Sequence, residues 1–180
     1  MEPVEISPLR MDEAEALVDL AGRIWRTCYP GIVSPEQIEY MLAQRYKPGL
    51  IRQLLARGDL WLAARRTGRL VGYAHGHPLD AGDYKLDKLY VDAALQRQGI
   101  GARLIEAVAA RAREHGFERL VLRVNRGNQP ALNAYLKHGF SVATVVMEDI
   151  GGGFVMDDYV MAKDLLRTMP PDQSDQKEST

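Results

Sequence analysis

The sharpest local signal in this chain is the change of hydrophobic period around Gly99. Residues 84–91 have the pattern of a strand, whereas the residues after Gly99 carry apolar side chains at helical spacing. Gly99 and Gly101 therefore stand at the start of a helix, where the lack of a Cβ lets backbone N–H groups approach an anion. The helix N-terminus adds amides without intrahelical partners and a favourable dipole. With Arg97 and Arg103 beside it, this junction predicts a site for a phosphate or pyrophosphate group.

Two common phosphate motifs do not match the junction. No GxxxxGK[ST] is present, which excludes a P-loop. A dinucleotide-binding fingerprint needs GxGxxG after a first strand, but here the third glycine is missing and the unit lies in mid-chain. Taken alone, the two glycines are better explained as a turn that tightens a strand-to-helix connection.

The order of periodic segments predicts one mixed α+β domain. A short strand within residues 1–7 precedes three helical stretches, the first starting near Asp12 and the second capped by Ser34. A three-stranded meander, the helix after Gly99, a strand, a helix and two strands follow. We expect a single domain over residues 1–166, with the polar residues 167–180 forming a disordered tail. A chain of 180 residues is the size of one ordinary domain.

Composition excludes several classes of protein. With 23 Lys+Arg against 24 Asp+Glu, the formal net charge of −1 removes the electrostatic basis for binding nucleic acid or an anionic membrane. Cys28 is the single cysteine, so neither an internal disulfide nor a cysteine-rich metal site is available. The first ten residues do not resemble a signal peptide, and no apolar run approaches the ~20 residues that span a bilayer. We expect a cytoplasmic protein without a metal.

A second polar element follows the strand at residues 120–124. Asn128 precedes Tyr135 by seven residues, about two helical turns, so both side chains lie on the same side of the helix between them. Taken alone, this pair is better explained as a helix cap and a core tyrosine.

Together the two elements resemble the GNAT N-acetyltransferase superfamily. The pyrophosphate loop of that superfamily, Q/R-x-x-G-x-G/A, is met at residues 96–101. Its downstream pattern, N-x-x-A-x-x-x-Y-x-x-x-G-F, is met by Asn128, Ala131, Tyr135, Gly139 and Phe140. The resemblance implies a GNAT-like acyl-CoA N-acyltransferase fold, with a mostly antiparallel, twisted central sheet of about seven strands flanked by helices. It also implies acetyl-CoA as cosubstrate.

The resemblance assigns roles to individual residues. Leu89, Tyr90 and Val91 would pair their backbone with the pantetheine arm and polarise the thioester carbonyl. The pyrophosphate would lie against Gln96, Arg97, Gln98, Gly99, Ile100, Gly101 and Ala102. Asn128 would hydrogen-bond coenzyme A, and Tyr135 would protonate the departing thiolate as a general acid.

The group that accepts the amine proton has no fixed position in the superfamily. Asp87, on the strand before the loop, is the first candidate, although a solvated strand residue is an equally good interpretation. Asp157 and Asp158 are interpreted either as solvated carboxylates or as an anionic wall for a cationic amine. His75 and His77 predict a polar strand end rather than a metal site.

The expected activity is the transfer of an acetyl group to a primary amine by direct attack in a ternary complex, an EC 2.3.1-type reaction. The first helices and residues 153–159 also resemble, more weakly, a bacterial branch that includes spermidine/spermine acetyltransferases. A polyamine or another small-molecule amine is therefore the expected acceptor, and a homodimer is in keeping with the family. The alternatives are a longer acyl-CoA, an alcohol acceptor, or an acetyl-CoA-binding sensor or partner module without turnover.

Overall fold

The helices and strands occur in the predicted order. The computed structural model describes residues 2–80 and 82–166, so the predicted tail lies outside the described residues. The helices are α1 (Ala14–Cys28), α2 (Pro35–Arg45), α3 (Pro48–Arg57), α4 (Ile100–Glu114) and α5 (Gln129–Lys137). The strands are β1 (Val4–Pro8), β2 (Leu60–Arg66), β3 (Arg69–Pro78), β4 (Asp83–Val91), β5 (Arg119–Asn125), β6 (Ser141–Gly151) and β7 (Phe154–Asp164). Single 3-10 turns precede α1 and follow β4.

The strands form one mixed sheet in the order β1-β2-β3-β4-β5-β7-β6. Every neighbouring pair is antiparallel except β4 and β5, which are parallel. A parallel pair requires a crossover connection, and α4 provides it. The sheet confirms the expected mostly antiparallel architecture.

The sheet separates two apolar cores. On one face α4 packs its predicted stripe, including Leu104 and Val108, which are both fully buried. On the other face α1, α2 and α3 cover Trp61 and Tyr73, which are 2% and 0% exposed. Burial of an apolar side chain such as Leu104 or Val108 contributes about 1.5–3 kcal/mol, so both layers stabilise the sheet between them.

The start of α1 differs from the prediction. Asp12 lies in the preceding 3-10 turn, and it is Glu13 that accepts the Arg10 backbone N–H, at 2.8 Å. Glu13 also forms a buried ion pair with Arg65 on β2, in which the Nε and Oε1 atoms are 2.8 Å apart. A local contact to Arg10 and a tertiary contact to Arg65 therefore act together, through Glu13, at the N-terminus of this helix.

The second helix begins as predicted, because Ser34 Oγ accepts the Gln37 N–H at 3.1 Å. Within residues 2–80 and 82–166, no helix combines the length and apolarity needed to cross a membrane.

Candidate active site

A cleft opens where the parallel strands β4 and β5 separate. The two strands pair only from Asp83 with Arg119 to Lys85 with Val121. Beyond that point, no described strand lies beside residues 86–91 on the β5 side, so backbone groups there are free to bind an extended chain. The cleft has a volume of about 1500 Å³, which exceeds the roughly 300–1,000 Å³ of a site for a drug-sized ligand.

The loop that leads into α4 borders one end of the cleft. Gly99 has a φ of 80° and Arg97 a φ of 61°, both in the left-handed region. A Cβ on Gly99 would meet no atom within 4 Å, so glycine is favoured there by backbone conformation and not by lack of space. The first helical hydrogen bond runs from the Arg103 N–H to the Gly99 carbonyl at 3.1 Å. The amides of residues 100–102 therefore have no partner inside the helix, and with Arg97 they form a donor set suited to pyrophosphate.

Nearly all of the predicted coenzyme-binding residues lie along this one cleft. Its walls include Leu89, Tyr90, Val91, Gln96, Arg97, Gly99, Ile100, Gly101, Ala102, Asn128 and Tyr135. Gln98 is the exception, since it does not line the cleft.

Helix α5 presents Asn128 and Tyr135 to the same cleft. The Oδ1 atom of Asn128 accepts the Ala131 N–H at 3.3 Å, so this residue is a helix cap as well as a cleft residue. Tyr135 lies two turns later and packs edge-on against Phe140, with ring centroids 5.6 Å apart. Burial raises the pKa of the Tyr135 hydroxyl, which therefore keeps its proton at neutral pH. A general acid needs this protonation state.

Asp87 occupies a β-bulge on β4 and lines the cleft. The β3–β4 register shifts by one residue here, which leaves Asp87 without a partner on β3. Its carboxylate lies 3.3 Å from His75 Nδ1 and 2.8 Å from Lys85 Nζ, and it also contacts Lys88. Burial acts to raise the pKa of Asp87, but the hydrogen bond to His75 and the lysine charges outweigh it and hold that pKa well below its usual range. Such a carboxylate is a weak base.

The side chain of His75 is a buried link between two carboxylates. It is 3% exposed, its Nε2 lies 2.7 Å from Asp59 Oδ2, and its ring stacks on Trp61 at a centroid distance of 4.3 Å. The prediction of a polar strand end is therefore wrong for His75. Within the described part of the chain, no group of three or more His, Cys, Asp and Glu side chains is placed to hold a metal ion.

Asp158, on β7, is buried in the opposite wall of the cleft. It is 2% exposed, whereas the side chain of Asp157 is 42% exposed, so the solvated interpretation holds for Asp157 and is wrong for Asp158. Arg123 on β5 donates from Nε to Asp158 Oδ2 at 3.2 Å and from Nη1 to Glu148 at 2.6 Å. Burial raises the pKa of Asp158 more than Arg123 lowers it. Asp158 is therefore a cleft carboxylate whose pKa is shifted towards neutrality.

The aromatic wall at the α1 side of the cleft is a feature that sequence reasoning missed. The hydroxyls of Tyr29 and Tyr90 lie 3.0 Å apart, and Trp25 stacks on Tyr29 at 4.5 Å between ring centroids. Cys28, also in this wall, lies 3.5 Å from the side-chain nitrogen of Gln96. The contact between Cys28 and Gln96 joins α1 to the loop at residues 96–99, for which coenzyme binding is predicted.

The sheet separates at its parallel pair β4–β5, and a helix N-terminus suited to an anion lies at that point, which is the arrangement expected of an acyl-CoA-dependent transferase. Residues 18–140 match the acetyltransferase (GNAT) family. An uncharacterised N-acetyltransferase from Mycobacterium bovis is 32% identical over 157 residues, which cover 87% of this chain and 100% of that protein. The chain therefore belongs to the GNAT family of N-acetyltransferases.

Two comparisons from Thermoplasma acidophilum extend this result. A spermidine N(1)-acetyltransferase is 27% identical over 165 residues, covering 89% of this chain and 96% of that protein. The crystal structure of the PaiA N-acetyltransferase in complex with coenzyme A matches with a TM-score of 0.78 at 26% identity, covering 90% of this chain and 99% of that one. The predicted fold is confirmed.

Proposed function

We propose that this protein transfers the acetyl group of acetyl-CoA to a primary amine, by direct attack in a ternary complex. The observation that carries the proposal is the separation of β4 from β5. It puts the anion-binding loop, the free backbone of β4 and a protonated tyrosine along one cleft. The coenzyme A complex of the PaiA relative supports the choice of donor.

Each part of the cleft has its own task. The amides of residues 100–102 and the Arg97 side chain bind the pyrophosphate, and Asn128 hydrogen-bonds the coenzyme. Backbone N–H groups of residues 89–91 polarise the thioester carbonyl while the amine nitrogen attacks its carbon. As the new C–N bond forms and the C–S bond breaks, Tyr135 donates its proton to the sulfur.

The amine must also lose a proton, and Asp158 is the better acceptor of the two cleft carboxylates. Its pKa is raised by burial, whereas the pKa of Asp87 is held low by His75, Lys88 and Lys85. A base works best when its pKa lies near the operating pH. The assignment of Asp87 as base stays a prediction, and the electrostatics favour Asp158.

A small-molecule acceptor is supported by the spermidine N(1)-acetyltransferase relative, which acts on an amine of that kind. Turnover, rather than a sensor role, is supported by the presence of Tyr135 in the cleft. The cytoplasmic location, the homodimer and the domain limits at residues 1–166 stay predictions.

The kinetic order of the reaction tests direct transfer. Initial rates measured while both acetyl-CoA and amine are varied should give intersecting double-reciprocal lines, because both substrates are bound at once. Parallel lines and a detectable acetyl-enzyme would show a covalent intermediate and overturn the proposal.

A further inference from the structure

The acceptor half of the cleft, opposite the coenzyme loop, has an unequal set of charges. Four cationic side chains line it: Arg45, Lys85, Lys88 and Arg123. Two carboxylates line it as well, those of Asp87 and Asp158. A site for a polyamine needs the opposite balance, because every ammonium group of the ligand must find a negative partner.

Three of the four cations are already paired. Lys85 and Lys88 share the Asp87 carboxylate. Arg123 bridges Asp158 and Glu148, at 3.2 Å and 2.6 Å. These pairs use up the negative charge of the acceptor half, and Arg123 also takes up that of Glu148 on β6.

The fourth cation is Arg45, the last residue of α2. None of the ion pairs within residues 2–80 and 82–166 includes it, and its side chain is exposed at the cleft. Its charge acts on the same space as the pairs above, since it helps to lower the pKa of Glu148 and opposes the rise in the pKa of Asp158. The acceptor half thus has one positive charge more than it can neutralise.

We infer that the acceptor amine carries a carboxylate, which Arg45 binds while the amine points towards β4. The inference rests on the proposed function and narrows its substrate to amino-acid-like molecules, with a free amino acid or a short peptide as the source of the carboxylate. A guanidinium recognises a carboxylate through two parallel N–H···O bonds, which makes arginine well suited to this task. A second ammonium in the same place, as in a polyamine, is repelled.

Two substrate pairs test the inference, because their members differ only by a carboxylate. Lysine is compared with cadaverine, and ornithine with putrescine, by coenzyme A release from acetyl-CoA. We expect kcat/KM to be at least about tenfold higher for the amino acid in each pair, the scale of one charge-assisted hydrogen bond. The same assay with glycyl-lysine and with its C-terminal amide distinguishes the two sources of the carboxylate. A higher kcat/KM for glycyl-lysine than for lysine indicates a peptide, and its amide should be a poorer substrate because it lacks the carboxylate.

Charge reversal at Arg45 makes the test specific to this side chain. Arg45→Glu should remove the preference for lysine and raise kcat/KM for cadaverine and spermidine. Arg23→Glu is the matched control, since Arg23 is an exposed arginine on α1 that does not line the cleft. It should keep the wild-type preference.

Two results overturn the inference alone: a wild-type preference for cadaverine or spermidine, or a lysine preference that survives Arg45→Glu. Absence of turnover with every amine, by contrast, overturns the proposed function and with it the acceptor assignment. The two failures are therefore distinguishable.

Discussion

Arg123 on β5 and Asp158 on β7 are joined by a hydrogen bond of 3.2 Å in the wall of the cleft. The carboxylate is buried, and among the described residues nothing hydrogen-bonds its Oδ1 atom. Burial favours the neutral form of an acid, and this explains why the pKa of Asp158 is raised although Arg123 acts to lower it.

Asp158→Asn removes the proposed base with little change of shape. We expect kcat/KM to fall by about 10²- to 10⁴-fold, the usual contribution of a general base. The wild-type rate should decline as the pH falls through the raised pKa of Asp158, because only the ionised form accepts a proton, and the variant should lack this decline. Asp157→Asn, a change at the exposed neighbour, is the control and should leave the pH profile unaltered.

Asp87→Asn distinguishes the two candidate bases. The pKa of Asp87 is held well below its usual range, so this residue is ionised throughout the working range and contributes no decline at mildly acid pH. The variant should therefore keep the wild-type pH profile, with its main change in the KM for the amine, because Lys85 and Lys88 lose their shared partner. If the rate of Asp87→Asn no longer declined at acid pH, Asp87 and not Asp158 would be the base.

Tyr135→Phe removes one hydroxyl from the cleft. We expect kcat to fall by about 10²- to 10⁴-fold while the Kd of acetyl-CoA, measured by titration calorimetry, changes little. Tyr84→Phe removes a hydroxyl from the core beneath α4, outside the cleft, and should leave kcat unchanged. If Tyr135→Phe instead abolishes binding of acetyl-CoA and spares turnover at saturation, the residue is a binding group and not the acid.

Gly99→Ala tests the coenzyme loop. Alanine at a φ of 80° is strained by about 1–2 kcal/mol, so the loop should shift and the Kd of acetyl-CoA should rise. Gly58→Ala imposes the same kind of strain, at a φ of 95° and also in open space, at the end of α3. Both variants should lose similar thermal stability, but only Gly99→Ala should weaken coenzyme binding. Equal affinities in the two variants would contradict the assigned loop.

The Glu13–Arg65 pair makes a prediction about stability and pH. The hydrogen bond from Arg65 lowers the pKa of Glu13 below its usual value of 4.5, so the pair stabilises the fold above that pH and the contribution is lost as the pH falls through the lowered pKa. Glu13→Gln should cost about 3–5 kcal/mol of unfolding free energy at pH 7, as is usual when one partner of a buried pair is removed. The deficit, measured in urea titrations, should shrink as the pH falls below 4.5, the usual pKa of the carboxyl group, towards the lowered pKa of Glu13.

Glu15→Gln is the control for that experiment. Glu15 pairs with Arg52 at the surface, with the carboxylate side chain 59% exposed, so its loss should change the free energy of unfolding little. A deficit for Glu13→Gln that is equally small, or independent of pH, would contradict the assigned strength of the buried pair.

The sequence is informative where chemistry depends on local structure. The period change at Gly99 and the two-turn spacing of Asn128 and Tyr135 predict residues that do line one cleft, because each pattern lies within one strand–helix unit. The acceptor end depends on contacts between distant segments. Asp158 is buried only because β7 lies between β5 and β6, and alternation along one strand does not predict this.

Asp87 shows a second reason why the acceptor end is hard to predict. A β-bulge breaks the two-residue period of β4, so the direction of the Asp87 and Lys88 side chains cannot be derived from alternation. Arg123 did carry a usable signal, since it is a charge within the apolar strand at residues 120–124. Its partner Glu148 is 25 residues away, on the edge strand, and only the structure identifies it.

The most direct test of the account is amine-dependent release of coenzyme A from acetyl-CoA, with the acetylated amine identified by mass spectrometry. Amino acids, polyamines, aminoglycosides and a lysine peptide serve as acceptors, and Tyr135→Phe serves as the inactive control. We predict that one class of amine releases one thiol per acetylated product, and that the variant loses this activity. Tight binding of acetyl-CoA without amine-dependent release from any acceptor would contradict the account and favour a sensor.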